Sequence, residues 1–330
     1  MSQGWRRGGC RGLVLLVSGW MALTVAVAAP VRDCPPPPEP FTAAELQAAE
    51  HAPHDHGLLW RIEKDGRVSH LYGTLHLARR DWALPGPLVR AALQQADRAA
   101  FELNLLDPQV LARLQRAARV RPGDPRLPLA DRRRIADAAR RVCATGSLDG
   151  LRPELQVVTL VSLALRRDGL DPTWGLDGVL MRRAQALGRP IESLETPEQQ
   201  MALLVHDNPQ RTRRAVRQGL QELESTSVRA VVRRMVRAWA DGRLDDLERF
   251  PAWCGCQDTA ADRAQHHASV EARNPAMAER IAALHASGSS VFAAVGVLHM
   301  VGAEGLPQQM ARRGFRVGLV SPANATPDRP

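Results

Sequence analysis

Two histidines occupy the same local setting near opposite ends of this 330-residue chain: His76 closes Gly73-Thr74-Leu75-His76, and His299 closes Gly296-Val297-Leu298-His299. Each motif ends a β-rich apolar run, residues 68–75 and 290–295, so each imidazole is expected at or near the carboxyl end of a strand. Glu102 is a third candidate, carried by the strand-like stretch 99–105. Two imidazoles and a carboxylate are a familiar ligand set for a divalent metal with open coordination positions. Such an ion acidifies a bound water or polarises a carbonyl, and either effect hydrolyses an amide or ester without a nucleophilic side chain. The three ligands come from distant segments, so the elements that carry them must bring them together.

Residues 58–63 and 68–75 read as strands joined by Lys64-Asp65-Gly66-Arg67, whose Asp-Gly pair is a strong hairpin signal. A helix-like stretch at 87–96 places Leu88, Ala91, Ala92 and Leu93 at helical spacing, and the strand of Glu102 follows. The second copy has the same plan, with a strand at 290–295, a helix at 305–313 and a strand at 315–320. Strand, Gly-x-x-His, helix, strand resembles a βαβ unit, whose crossover is right-handed and whose strands usually lie parallel. Ligands in such sheets bind at the carboxyl ends of strands. If the two strands are neighbours, His76 and His299 face one another across a cleft. Gly73 and Gly296 remove the β-carbon where backbone must turn or approach a ligand closely. An ordinary strand-end turn explains either glycine alone, but less readily the pair. Between the copies, residues 107–286 read as a mostly helical insertion with a short strand at 189–194.

The first 28 residues read as a cleaved export signal: Arg6, Arg7 and Arg11, an apolar run at 12–27, and Ala26-Val27-Ala28 as the small-residue cleavage pattern. A periplasmic or secreted protein with no later membrane span is therefore expected. Those arginines supply three of the net +9 charges, which leaves +6 for the rest. The remaining basic residues are interleaved with acidic ones and aromatics make up 4%, which argues against nucleic-acid binding. Residues 29–57 read as a Pro- and His-rich linker with His51, His54 and His56 exposed, and 321–330 as a flexible tail. After signal removal Cys34, Cys143, Cys254 and Cys256 remain, an even number that suits two disulfides in an oxidising compartment. Cys254 and Cys256 are too close for an easy mutual bridge, so each is expected to pair with Cys34 or Cys143; a metal site at Cys254 and Cys256 is the rival reading. No Gly-x-Ser-x-Gly elbow, His-Glu-x-x-His helix, phosphate loop or dinucleotide fingerprint occurs.

The ordered set of marks resembles the TraB/GumN/Tiki family over residues 58–320. It comprises Leu71-Tyr72-Gly73-Thr74-Leu75-His76, Phe101-Glu102-Leu103, Gly175-Leu176-Asp177, Leu194-Glu195-Thr196 with Glu198-Gln199, Arg273-Asn274, and the segment from Val295 through His299 to Gly302. The second motif departs from the family, which often has Gly-Ala-Gly-His there. The resemblance implies an α/β (α+β-like) fold with a mixed central sheet built from the two repeats and a large helical insertion. Animal relatives are metal-dependent proteases favouring manganese or cobalt, and another relative inhibits bacterial peptide pheromones. By motif match, His76, Glu102 and His299 would be metal ligands or their immediate neighbours, and Arg273 would stabilise developing negative charge. Glu195 and Asp177 would support these groups or carry protons, or else serve as helix caps. The expectation is a metal-dependent hydrolase of peptides or small molecules, loaded with manganese, cobalt or zinc. The alternative is a protein that captures a peptide or small ligand without turnover.

Overall fold

The computed structural model describes residues 34, 38, 39, 41–49 and 54–320. The expected signal 1–28, much of the linker including His51, and the tail 321–330 lie outside the described residues.

One six-stranded sheet organises the chain. Its strands are β1 (Leu58–Lys64), β2 (Arg67–Thr74), β3 (Arg98–Phe101), β4 (Ile191–Ser193), β5 (Val291–Gly296) and β6 (Arg316–Leu319), in the spatial order β4-β3-β5-β2-β1-β6. β1 and β2 form the expected hairpin, with Lys64 opposite Arg67 and positive φ at both Asp65 and Gly66. That is the turn geometry an Asp-Gly pair favours. β1 is antiparallel to both neighbours, whereas β2, β5, β3 and β4 pair in parallel. The sheet is therefore mixed, and its centre is parallel. β5 is buried along its whole length, which explains its unbroken apolar run Val291-Phe292-Ala293-Ala294-Val295.

The helices are α1 (Ala43–Ala49), α2 (Pro87–Gln95), α3 (Pro108–Ala118), α4 (Leu129–Arg141), α5 (Pro153–Ala164), α6 (Leu176–Ala186) and α7 (Pro197–Leu204). They continue with α8 (Pro209–Glu224), α9 (Thr226–Ala240), α10 (Leu244–Glu248), α11 (Phe250–Trp253), α12 (Ala260–Ser269), α13 (Asn274–Ala286) and α14 (Leu306–Arg312). Several start where a polar cap precedes proline: Asp107 caps α3, and Asn208 caps α8 through the amides of Gln210 and Arg211. α4, α5 and α8 keep an apolar core of their own, including Ile135, Leu160, Val216 and Leu220, apart from the large core around the sheet. No described helix is long and apolar enough to cross a membrane.

The topology creates a crevice. From β2 the chain crosses through α2 to β3, on one side of the sheet order; from β5 it crosses through α14 to β6, on the other. β2 and β5 are adjacent and parallel, with Gly73 opposite Val295 and Thr74 opposite Gly296. Connections that depart in opposite directions from neighbouring parallel strands leave room at their carboxyl ends. Both Gly-x-x-His motifs open there.

Three expectations need correction. The strand carrying Glu102 is shorter than 99–105: it stops at Phe101, and Glu102 just beyond it turns its carboxylate to buried partners. The linker is not wholly extended and solvated: α1 lies within it, Phe41 packs on Trp174 with ring centroids 5.0 Å apart, and Glu45 accepts from Arg80. At its far end His56 Nδ1 lies 3.1 Å from Ala240 O, and Tyr72 donates to His56 O at 2.8 Å. The cysteines form two disulfides, but the pairing is Cys34–Cys143 and Cys254–Cys256. Gly255 takes φ of +62°, which reverses the chain and brings the flanking α-carbons to 5.1 Å, within bridging range.

Asp55, in that same linker, accepts from the amides of Leu88 and Val89, both at 3.0 Å, and so caps α2 from outside the helix. Asp55→Ala is expected to destabilise the chain by about 1 kcal/mol, the cost of losing a side-chain N-cap. A urea midpoint shift at unchanged slope checks this.

Candidate functional site

At the mouth of the crevice the main chain sets the side chains before they touch. Leu176 donates its N–H to Leu75 O at 3.0 Å, which seats the first turn of α6 beside His76. Beyond β3 and β4, Leu194 N–H reaches Phe101 O at 2.8 Å and Glu195 N–H reaches Glu102 O at 3.0 Å. Main-chain hydrogen bonds therefore continue one residue past β3 and two past β4, and they place the two glutamates side by side. Arg273 closes a short 3-10 turn immediately before α13 and projects among them.

Asp177 holds the first histidine. Its Oδ2 is 2.8 Å from His76 Nδ1, and its Oδ1 accepts the Thr74 hydroxyl at 2.8 Å. His76 Nε2 is turned toward Glu102, 3.8 Å from Oε1. Asn274 holds the second: its Oδ1 is 2.6 Å from His299 Nδ1, and its own amide donates to Glu304 O at 2.7 Å. His299 Nε2 faces Arg273 Nη1 at 3.0 Å. The anchoring is thus the same in both copies, with an oxygen side chain on Nδ1 and Nε2 directed inward.

Glu102 lies between the histidines. Its Oε1 accepts the Gly296 N–H at 3.0 Å, and its Oε2 accepts from Arg273 Nη2 at 2.7 Å and from Gln200 at 3.0 Å. Arg273 donates through Nε to Glu195 Oε1 at 2.8 Å and makes a further contact from Nη2 to Oε2, so a single guanidinium holds two carboxylates. Gln200 bridges the same two, reaching Glu195 at 3.1 Å.

The glycines have a reason in this geometry. A β-carbon at Gly296 would stand 3.3 Å from both Glu102 Oε1 and His76 Nε2, and 3.7 Å from His299 Cδ2. A β-carbon at Gly73 would stand 3.1 Å from Val297 Cγ2 and 3.3 Å from its Cα. The two motifs are therefore packed against each other, and Gly296 is the point where the three candidate ligands meet.

Charge is organised accordingly. Burial favours a neutral Glu102, yet Arg273 and then the two histidines and the Gly296 amide hold its carboxyl at about 2. It is thus a fixed anion and a weak base. Burial likewise opposes charge on His76, but Asp177 and then Glu102 outweigh it and lift the imidazole to about 9. Burial dominates at His299, with help from the Arg273 cation, and keeps that ring neutral at about 3 despite Glu102. Two chemically identical side chains in matching motifs are driven apart by their partners. His76, with 16% of its side chain exposed, is the site histidine that solvent reaches; His299 is sealed.

The donor types are those that suit a divalent ion. Two rings anchored at Nδ1 by oxygen partners present Nε2 on either side of a carboxylate, the usual outer support of metal-binding histidines. The fit is not preset. Among the described residues no three His, Cys, Asp or Glu side chains are drawn close enough to enclose an ion, and Arg273 engages His299 Nε2.

All six expected site residues, His76, Glu102, Asp177, Glu195, Arg273 and His299, fall in one connected cluster. The alternative helix-cap role is not the one Glu195 plays: Thr196 caps α7 through a capping box with Gln199, while Glu195 turns to Arg273. Asp177 does open α6 but spends its carboxylate on Thr74 and His76. Sequence reasoning gave no role to Thr74, Gln200 or Asn274. Thr74 and Asn274 lie within the recurring marks, directly beside Leu75-His76 and Arg273. Gln200 carries no local signal, since its role depends on how α7 packs over the two glutamates.

Residues 58–318 match the TraB/PrgY/gumN family. No curated protein and no solved structure matches the chain.

Proposed function

The chain belongs to the TraB/PrgY/gumN family, and from that premise we propose that it is an exported metal-dependent hydrolase acting on peptide bonds. The observation that carries this reading is the convergence at Gly296 of a carboxylate and two imidazoles, each ring oriented by its own oxygen partner. His76, Glu102 and His299 would hold a divalent ion such as manganese, cobalt or zinc. When bound, the ion would supply a Lewis acid for the substrate carbonyl and an acidified water.

The chain's own residues have separable tasks. Asp177 fixes the His76 ring, so that Nε2 addresses the site. Asn274 does the same for His299. Glu102 contributes permanent negative charge that offsets a cation; with its carboxyl near 2 it is a ligand rather than a proton acceptor. Arg273 is a fixed cation beside these groups, suited to stabilising negative charge that develops on a substrate oxygen. Glu195 holds its guanidinium in place, and Gln200 donates to both Glu195 and Glu102.

Asp177→Asn tests the ring-orientation role, because an amide can present its N–H rather than an acceptor to His76 Nδ1. Metal affinity measured by competition with a chelating dye is expected to fall about 10–100-fold, with the fold retained. Unchanged affinity would remove Asp177 from the site's machinery.

A second reading is favoured by one contact. Arg273 Nη1 on His299 Nε2 fills the position an ion would need. If that contact persists in the functional state, the cleft captures a peptide or small ligand without turnover. Stoichiometric peptide binding with no product, whatever metal is supplied, would select this alternative.

A further inference from the structure

The site does not end at the histidines. A cleft of about 340 Å³ opens at His76 and runs between α5, α8 and α9. Val157, Val158 and Val161 of α5, Leu165 just after it, and Val232 of α9 give it apolar walls. A smaller cavity of about 50 Å³ shares His76, Leu77 and Val232 with it and reaches Gly296 and His299. Two adjoining, mostly apolar spaces therefore meet at His76, and the smaller one touches both motif histidines.

Two carboxyl groups that line the large cleft have no ion-pair partner among the described residues. Glu222, near the end of α8, accepts from Gln218 at 3.2 Å, and no Lys, Arg or His among the described residues forms an ion pair with it. Glu222 is half-buried, and desolvation alone pushes its carboxyl up to about 8. Glu154 of α5 is 3% exposed; its Oε1 takes the His206 amide and the Thr212 hydroxyl, but its Oε2 has no hydrogen-bond partner. Arg211 and Arg214, on the opening turns of α8, also line the cleft but are exposed to solvent. A carboxyl held in apolar surroundings without a counter-charge gains most from a cation brought by a ligand.

We infer that this cleft is the substrate groove, and that it takes a peptide presenting an apolar side chain together with a cationic nitrogen that meets Glu222. The inference rests on reading His76 as part of the active site. The nitrogen has two possible sources, the peptide's amino terminus or a basic side chain.

Fluorescence anisotropy separates them. The full chain is titrated in chelator, so that nothing turns over, with Leu-Val-Leu-Ala labelled at its carboxyl end. Three forms are compared: a free amino terminus, an acetylated one, and an acetylated one with lysine replacing the second leucine. At least one cationic form is expected to bind about tenfold or more tightly than the acetylated peptide, the worth of one charge-assisted hydrogen bond. Tight binding of the first form alone assigns the amino terminus; tight binding of the lysine form assigns a side chain. Glu222→Gln, nearly isosteric, should abolish the preference, and Val161→Phe should weaken every form by filling the cleft. Equal binding of all three forms, a preference that survives Glu222→Gln, or indifference to Val161→Phe would each overturn the inference. A chain that shows the preference but never cleaves peptide keeps the groove and loses the hydrolase; cleavage without the preference does the reverse.

Discussion

Arg273→Met will unfold at a far lower urea concentration than the parent chain. The side chain is 8% exposed and holds Glu102 and Glu195, which are equally buried. Removing one partner of a buried ion pair costs about 3–5 kcal/mol, because the charge left behind has neither water nor counter-ion. Here one deletion strands two carboxylates. If uncompensated charge is the cause, adding Glu102→Gln and Glu195→Gln to the same chain will recover much of the loss. A triple variant no more stable than Arg273→Met would instead assign the effect to lost packing. The pH dependence, followed on metal-free protein, has opposite signs in the two chains. In the parent, Glu102 sits at about 2 rather than its ordinary 4.5, so its contribution is complete above 4.5 and is lost as pH falls toward 2. In Arg273→Met burial is no longer opposed by the guanidinium, and the carboxyl rises instead. Protonation then relieves the strain, and the deficit relative to the parent narrows as pH falls.

The second large effect is on metal content and hydrolysis together. The parent chain, loaded with manganese, cobalt or zinc and desalted, is expected to retain one ion per chain and to cleave peptides. His76→Ala/His299→Ala is expected to retain none and to lose cleavage altogether, while remaining folded. The two rings are good positions for this test because they bear little of the core: His76 is partly exposed, and His299 is held chiefly by Asn274 and Arg273. An ion retained by the folded double variant would place the metal elsewhere. A parent chain that binds no ion, yet holds peptide, would move the protein to the capture reading.

How much of this site could be read beforehand depends on the range of the interactions involved. The hairpin of β1 and β2 was legible because Asp65-Gly66 decides its own dihedrals. The start of α7 obeys equally local rules, because the Thr196 cap and Pro197 act within one turn. Asp55 was read as linker because its partners, the amides of Leu88 and Val89, are more than thirty residues away. Cys254 and Cys256 were expected to pair elsewhere because they lie too close for an easy mutual bridge; the positive φ of Gly255 removes that obstacle. Glu195 was equally plausible as a cap until the extension of β3–β4 pairing set it beside Glu102.

By itself, then, the sequence determined the family, the two strand–Gly-x-x-His–helix–strand units, and the six residues that meet near their ends. These follow from periodicity, turn chemistry and short ordered motifs, all of which act over a few residues. Only the tertiary structure decided that β5 inserts between β2 and β3, that Gly296 is the meeting point, and that one guanidinium joins two carboxylates and a ring. It also decided that His76 and His299, alike in sequence, differ in charge. Those outcomes depend on which distant groups are packed together out of water, where burial and the nearest charge, rather than the side chain's own chemistry, set what each residue can do.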